Sequence, residues 1–290
     1  MPVLCLIANP TDSELDPALA AAVVQEIGGE LNWLDHAIAC EIIDPKSPDA
    51  LTLARQVIGD AKVDANLVPS QGRRKPLLIA DMDSTMINEE CIDELAAALG
   101  LKEQVAEITD RAMRGELDFA AALDTRVALL KGLERKVIEE VRREQITLAP
   151  GGRALIQTMK AYGAYTALVS GGFTFFADFF AKRIGFDEAV ANVLEFDGDR
   201  LTGTVTKPIV DKSTKRERLI ALSQERNVPL DRTIAVGDGA NDLDMIRIAG
   251  FGVALHAKPA VAAEAGIRID HGDLTALLYL QGYTDEDIVR

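Results

Sequence analysis

Residues 77 to 80, Leu-Leu-Ile-Ala, are an apolar run without polar alternation, and the run ends in Asp81-Met82-Asp83-Ser84-Thr85. A strand with one face in water alternates apolar and polar side chains. One that does not alternate is covered on both faces, as in the interior of a parallel sheet. The pattern recurs at Thr233-Ile234-Ala235-Val236-Gly237, which leads into Asp238-Gly239-Ala240-Asn241-Asp242. Around these runs the periodicity predicts helix 151–161, strand 164–170, helix 173–183, a hairpin at Asp197-Gly198-Asp199-Arg200, helix 213–226, helix 241–249 and strand 252–255. Strands alternating with helices imply an open, Rossmann-like parallel sheet, and such sheets hold ligands at the carboxyl ends of their strands.

Two further blocks surround this α/β pattern. From Glu89 to about Arg143 the sequence is helical in four segments, 89–99, 101–113, 118–130 and 133–145. Gly100, Gly115 and Gly132 separate them, and glycine suits helix ends because it accepts positive φ. This is a helical insertion, placed at about 87–149. Ahead of the core lies a small α/β unit: strand 3–9, helix 16–27, a strand or strand pair in 30–43, helix 49–59 and strand 63–68. It closes on Pro69-Ser70-Gln71-Gly72-Arg73-Arg74-Lys75-Pro76, a linker composition. The expected organisation is a domain over 1–73 and a core over 74–290 that carries the inserted cap.

Composition narrows the function. With 46 acidic and 31 basic residues the formal charge is -15, which repels nucleic acid and anionic membranes unless a basic patch reverses the field. No such patch is visible, so neither partner is expected. The opening Met-Pro-Val-Leu-Cys-Leu-Ile-Ala-Asn-Pro lacks the basic head of a secretory signal, and no apolar run approaches a membrane span. Cys5, Cys40 and Cys91 are odd in number and widely spaced, unlike a disulfide framework or a zinc site. The expected location is the cytoplasm.

Four loops carry the chemistry: Asp81 to Thr85, Ser170-Gly171-Gly172, Lys215 near a helix start, and Gly237 to Asp242. Carboxylates gathered at strand ends are costly without a compensating charge. Asp81, Asp83, Asp238 and Asp242 therefore suggest a hard, oxygen-seeking cation, most simply Mg²⁺, although such aspartates also cap helices. A carboxylate beside a cation can attack phosphorus, and a second can protonate the leaving alcohol and then activate water. The hydroxyl and amides at 170–172 can cradle phosphate oxygens, and a lysine can neutralise charge during transfer. Lys215 and Lys212 lie one helical turn apart, and either fits. No GxxxxGK[ST], GxSxG or HExxH motif is present, and His36, His256 and His271 are too scattered to form a ligand set. Phe173, Phe175, Phe176, Phe179 and Phe180 recur at helical spacing and read as sheet-facing core, with Phe173 next to the phosphate loop.

The quartet Asp-Met-Asp-Ser-Thr, Ser-Gly-Gly, Lys215 and Gly-Asp-Gly-Ala-Asn-Asp resembles the haloacid dehalogenase-like phosphohydrolases over about residues 74–280. With the insertion between its first two motifs, the chain is similar to the branch of that family that acts on phosphoserine. The resemblance implies a Mg²⁺-dependent hydrolase that converts O-phospho-L-serine to L-serine and phosphate in serine biosynthesis. A phosphotransferase that passes the group to homoserine, or a phosphatase of another small phosphomonoester, is the alternative. The resemblance makes Asp81 the nucleophile and Asp83 the general acid and base. It gives Mg²⁺ to Asp81, the main-chain carbonyl of Asp83, and Asp238. Ser170, Gly171, Lys215 and Asn241 fall on phosphate-binding positions, and Asp242 on a supporting one. In the cap, Glu90 matches the acid that meets the substrate ammonium and Arg126 the base that meets its carboxylate, while Phe119 and Met113 match pocket-lining positions. By their residue types alone these four are also ordinary helix charges and cap core. The amino-terminal unit resembles ACT-type regulatory modules, yet Asn9-Pro10-Thr11-Asp12 stands where a ligand-binding glycine turn is expected. Amino-acid sensing, homodimerisation and plain packing all remain roles for it.

Overall fold

The computed structural model describes residues 2–12, 14–114 and 116–290; the side chain of Met113 is outside the described residues. Packing divides the chain into two units. One comprises Met1–Pro76, Pro150–Ala164 and Gly266–Arg290, and the other Leu77–Ala149 and Tyr165–Ala265.

The first unit opens with β1 (Pro2–Ala8), helix Pro17–Ile27, β2 (Glu30–Asp35), β3 (Ala39–Ile43), helix Ala50–Ile58 and β4 (Val63–Pro69). The strands form an antiparallel sheet in the order β2-β3-β1-β4, the ACT-like arrangement. Leu4, Leu6, Ile42 and Val63 meet Val23, Ile27 and Ala54 from the two helices in one apolar core. Val3, Cys5 and Ile7 on the opposite face of β1 are equally buried, because helix Ala276–Leu280 of the same unit packs on β1 and β3. That contact is held by half-buried Arg73, which donates from Nε to Leu280 O at 3.1 Å and pairs with Glu41 at 2.6 Å. Asp64 on β4 accepts the N–H groups of Asp270 and Gly272 at 2.8 and 2.7 Å. At the turn after β1, Asn9 Oδ1 accepts the Thr11 N–H at 2.9 Å. An Asx turn thus stands where the glycine turn was expected.

The second unit contains β5 (Leu77–Ala80), β6 (Tyr165–Phe173), β7 (Glu188–Asn192), the hairpin β8 (Leu194–Asp197) and β9 (Arg200–Val205), β10 (Thr233–Gly237) and β11 (Phe251–Leu255). Five of these run parallel in the order β11-β10-β5-β6-β7. The central β5 is buried at every residue, as its unalternated sequence requires. Between β5 and β6 come four helices, Cys91–Ala97, Lys102–Met113, Phe119–Leu129 and Arg135–Glu144. The third is capped by Asp118, whose carboxylate accepts the Ala121 N–H at 2.9 Å. Strand β7 was not expected, since the short Glu-Ala-Val-Ala-Asn run shows neither alternation nor a long apolar stretch. Phe173, the last residue of β6, and Phe176 and Phe180 on the helix that follows (Thr174–Ile184) are buried, while Arg142 lies over the rings of Phe175 and Phe179 at 4.6 and 4.4 Å. The phenylalanine group is therefore core on one face and a guanidinium platform on the other. Among the described residues no helix is long and apolar enough to cross a membrane.

Candidate active site

Three adjacent strands, β10, β5 and β6, end at the same edge of the sheet and deliver the acidic and glycine loops. Asp81 follows β5 and is fixed by its N–H, which donates to Val236 O at 3.0 Å. The chain then turns sharply, with Ser84 at φ 52° and Met86 N–H bonded to Met82 O at 2.8 Å. After β10, Asp242 folds back so that its Oδ2 accepts the N–H groups of Asp238 and Gly239 at 3.2 and 3.1 Å. A Cβ on Gly237 would lie 2.3 Å from Asp242 Cγ, so only glycine permits this fold-back. After β6, Gly172 N–H donates to Ser170 Oγ at 2.9 Å. A Cβ on Gly172 would stand 2.5 Å from Asp83 Oδ2, and one on Gly171 2.6 Å from the Phe119 ring. The glycines let the loop approach both the acid and the cap.

Lys215 is fully buried, with Nζ 2.7 Å from Asp81 Oδ2 and 2.6 Å from Asp242 Oδ1. Lys212 is exposed at the first position of the same helix, so the geometry brings Lys215 to the carboxylates. Burial alone would lower the Lys215 ammonium, but Asp242 and Asp81 outweigh it and hold it raised. Carboxylate oxygens of Asp81, Asp238 and Asp242 lie within 4.8 Å of one another. Three buried acids against one ammonium leave negative charge uncompensated, and burial together with Glu90, Asp242 and Asp81 pushes Asp238 well above the usual range. An all-oxygen cluster with that deficit fits a hard divalent cation. The Asp83 carboxylate stands outside this trio. It accepts the Cys91 N–H at 3.1 Å, and burial, with the Asp81 charge adding to it, raises its carboxyl to about 6.

The inserted helices contribute the opposite wall. Ser84 Oγ donates to Glu90 Oε1 at 2.6 Å, and burial and the Asp83 charge push Glu90 up to about 8. Arg126, 5% exposed, donates from Nε to Ala122 O at 3.1 Å and from Nη1 to Thr109 Oγ1 at 2.9 Å. Asp81, Asp83, Glu90, Phe119, Arg126, Ser170, Gly171 and Asn241 line one cavity of about 50 Å³, together with Gly172, Phe173, Thr109, Ile92, Ala112 and Leu123. Lys215, Asp238 and Asp242 lie beneath it, and the side chain of Met113 is outside the described residues. Asn241 Oδ1 is buried without a hydrogen-bond partner among the described residues, so this acceptor oxygen is open to a donor on a bound group.

Two residues escaped the sequence reading. Asn192, at the end of β7, donates from Nδ2 to Gly171 O at 2.8 Å, while its Oδ1 accepts the Val210 N–H at 2.7 Å. It ties the glycine loop to the segment that leads into the Lys215 helix. Thr109 meets Arg126. Neither lies in a motif, and only the strand that carries Asn192 could have signalled it.

A model of the haloacid dehalogenase-like hydrolases matches residues 78–247. The chain is 47% identical over 297 residues to the phosphoserine phosphatase of Streptomyces coelicolor, with 99% of this chain and 72% of that protein aligned. To the phosphoserine phosphatase of Haemophilus influenzae it is 46% identical, with 72% of this chain and 66% of that protein covered. The solved structure of a family hydrolase from Salmonella enterica serovar Typhi superimposes with a TM-score of 0.83 at 31% identity, covering 98% of this chain and 99% of that one. A substrate-bound phosphoserine phosphatase complex matches at 0.68 and 38% identity, covering 71% of this chain and 97% of that one. The chain belongs to the haloacid dehalogenase-like hydrolases and, within them, to the phosphoserine phosphatase family.

Proposed function

We propose that this chain hydrolyses O-phospho-L-serine to L-serine and inorganic phosphate, through an aspartyl-phosphate on Asp81, in the serine biosynthesis of the cytoplasm. One observation carries the reading: a single cavity has phosphate chemistry on one wall, Asp81, Asp83 and Ser170 to Gly172, and an acid and a base, Glu90 and Arg126, on the other. Phosphoserine presents a phosphate, an ammonium and a carboxylate, and this cavity offers one complement to each. The Streptomyces and Haemophilus relatives are phosphoserine phosphatases by name, and a phosphoserine phosphatase structure similar to this chain holds substrate.

Asp81 is the nucleophile because it stands at the end of the central strand, with Lys215 holding one carboxylate oxygen. The ammonium has three hydrogens; two face Asp81 and Asp242, and the third is left for a phosphate oxygen. The Gly171 amide and the Ser170 hydroxyl, whose oxygen accepts the Gly172 N–H, face the other oxygens. Asp83, raised to about 6, is partly protonated near neutrality. It gives its proton to the leaving serine oxygen and then takes one from the water that attacks the phosphorus of the aspartyl-phosphate. Asp81, Asp238 and the Asp83 carbonyl would hold Mg²⁺, which would neutralise charge on the phosphoryl oxygens. Around the substrate body, Glu90 meets the ammonium, Arg126 the carboxylate, and Phe119 closes the pocket. The domains that accompany this reading are 1–73 for the ACT-like unit and 74–290 for the phosphatase core, with the cap at about 87–149.

The test is phosphate release from phosphoserine without any acceptor alcohol, with and without Mg²⁺. Asp81→Asn is expected to lower kcat by on the order of 10⁴-fold. Full turnover by that variant would remove the covalent route, and a requirement for homoserine would make the enzyme a transferase.

A further inference from the structure

Arg126 is buried, yet among the described residues no carboxylate pairs with it directly. Burial lowers its pKa, and Glu90, Asp93 and Asp83 oppose that shift from a distance. Its Nη1 donates instead to Thr109 Oγ1 at 2.9 Å, and the Thr109 hydroxyl donates to Asp93 Oδ1 at 2.7 Å. Val105 O, one turn back on the same helix and 3.0 Å from the hydroxyl, is the longer of two acceptors for its single proton, and the 2.7 Å contact to Asp93 takes it. Arg126 Nη2 makes no hydrogen bond among the described residues, while Nε is taken by Ala122 O.

We infer that Thr109 and Asp93 are positioning residues that set substrate specificity: the Asp93–Thr109–Arg126 chain aims the guanidinium at the substrate carboxylate without neutralising it. A direct Asp–Arg pair would occupy the fork that a substrate carboxylate needs. A hydroxyl between them transmits orientation and part of the negative potential, yet leaves Nη2 to the ligand. Thr109 and Arg126 both line the cavity, so a shift of the chain moves the charge at the point of recognition. Glu90 is arranged in the same way, its Oε1 held by the Ser84 hydroxyl rather than by a cation. The inference rests on the reading of Arg126 as the carboxylate-binding residue.

The experiment compares phosphoserine with O-phosphoethanolamine, which keeps the phosphate and ammonium but lacks the carboxylate, on the full-length Mg²⁺-loaded enzyme. Thr109→Val preserves shape and removes the hydroxyl. It is expected to raise KM for phosphoserine about tenfold with kcat within about threefold, and to raise KM for phosphoethanolamine by no more than about twofold. Thr109→Ser restores the hydroxyl and with it the KM, and Asp93→Asn gives a smaller rise. If Arg126→Ala discriminates between the substrates while Thr109→Val does not, the positioning role is overturned. If Arg126→Ala damages both substrates alike, the carboxylate reading falls, and the inference with it.

Discussion

The two walls of the cavity handle charge in opposite ways. On the sheet side, Lys215 contacts Asp81 and Asp242 directly at 2.7 and 2.6 Å, all three side chains nearly sealed from solvent. On the cap side, Glu90 and Arg126 contact no opposite charge among the described residues; each is held by a hydroxyl, Ser84 or Thr109. The difference follows from their tasks. Groups that make and break bonds need fixed geometry, and a buried ion pair built on strand ends supplies it. Under the proposed function, groups that recognise a zwitterion stay without an internal counter-ion until the ligand arrives; a hydroxyl orients them without pairing with them, and the arriving ammonium draws the raised Glu90 carboxyl into its ionised form.

The sharpest way to break this comparison is Lys215→Ala. It strands Asp81 and Asp242 in a buried site, and a loss of about 3 to 5 kcal/mol is expected in urea unfolding, whereas exposed Lys212→Ala should stay within about 0.5 kcal/mol. Equal effects would mean that the buried pair is not what stiffens the sheet side. Next in size is Gly172→Ala. Its Cβ would press on Asp83, and a fall in kcat of about 100-fold is expected with thermal stability nearly unchanged, because one misplaced acid costs turnover rather than packing. On the cap side, Glu90→Gln keeps an acceptor for Ser84 and removes only the charge. A rise of about tenfold in KM for phosphoserine is expected, with none for glycerol phosphate, which has no ammonium. A matching loss on glycerol phosphate would assign Glu90 to the chemistry instead.

The sequence was most legible where function is written in contiguous residues. An unalternated strand followed by Asp81 to Thr85, or by Asp238 to Asp242, states its burial and its chemistry within ten positions. The cap helices were legible for a related reason, since periodicity and glycine stops are local. Strand β7 was missed because its pleat neighbours, rather than its own sequence, make it a strand, and Asn192 was missed with it. The sequence also offered no hint that residues 150–164 and 266–290 pack in one unit with the amino-terminal sheet. The carboxyl-terminal part of that grouping depends on Arg73 and Asp64 finding partners some 200 positions away.

By itself, then, the chain determined a parallel sheet, the order of its catalytic loops and the presence of an inserted helical cap, because each is encoded by neighbours in the chain. Tertiary structure alone decided which lysine meets the carboxylates, which asparagine holds the glycine loop, and how Arg126 is aimed. Those outcomes depend on hydrogen bonds of about 3 Å between groups far apart in sequence, and such distances exist only once the sheet and cap are packed.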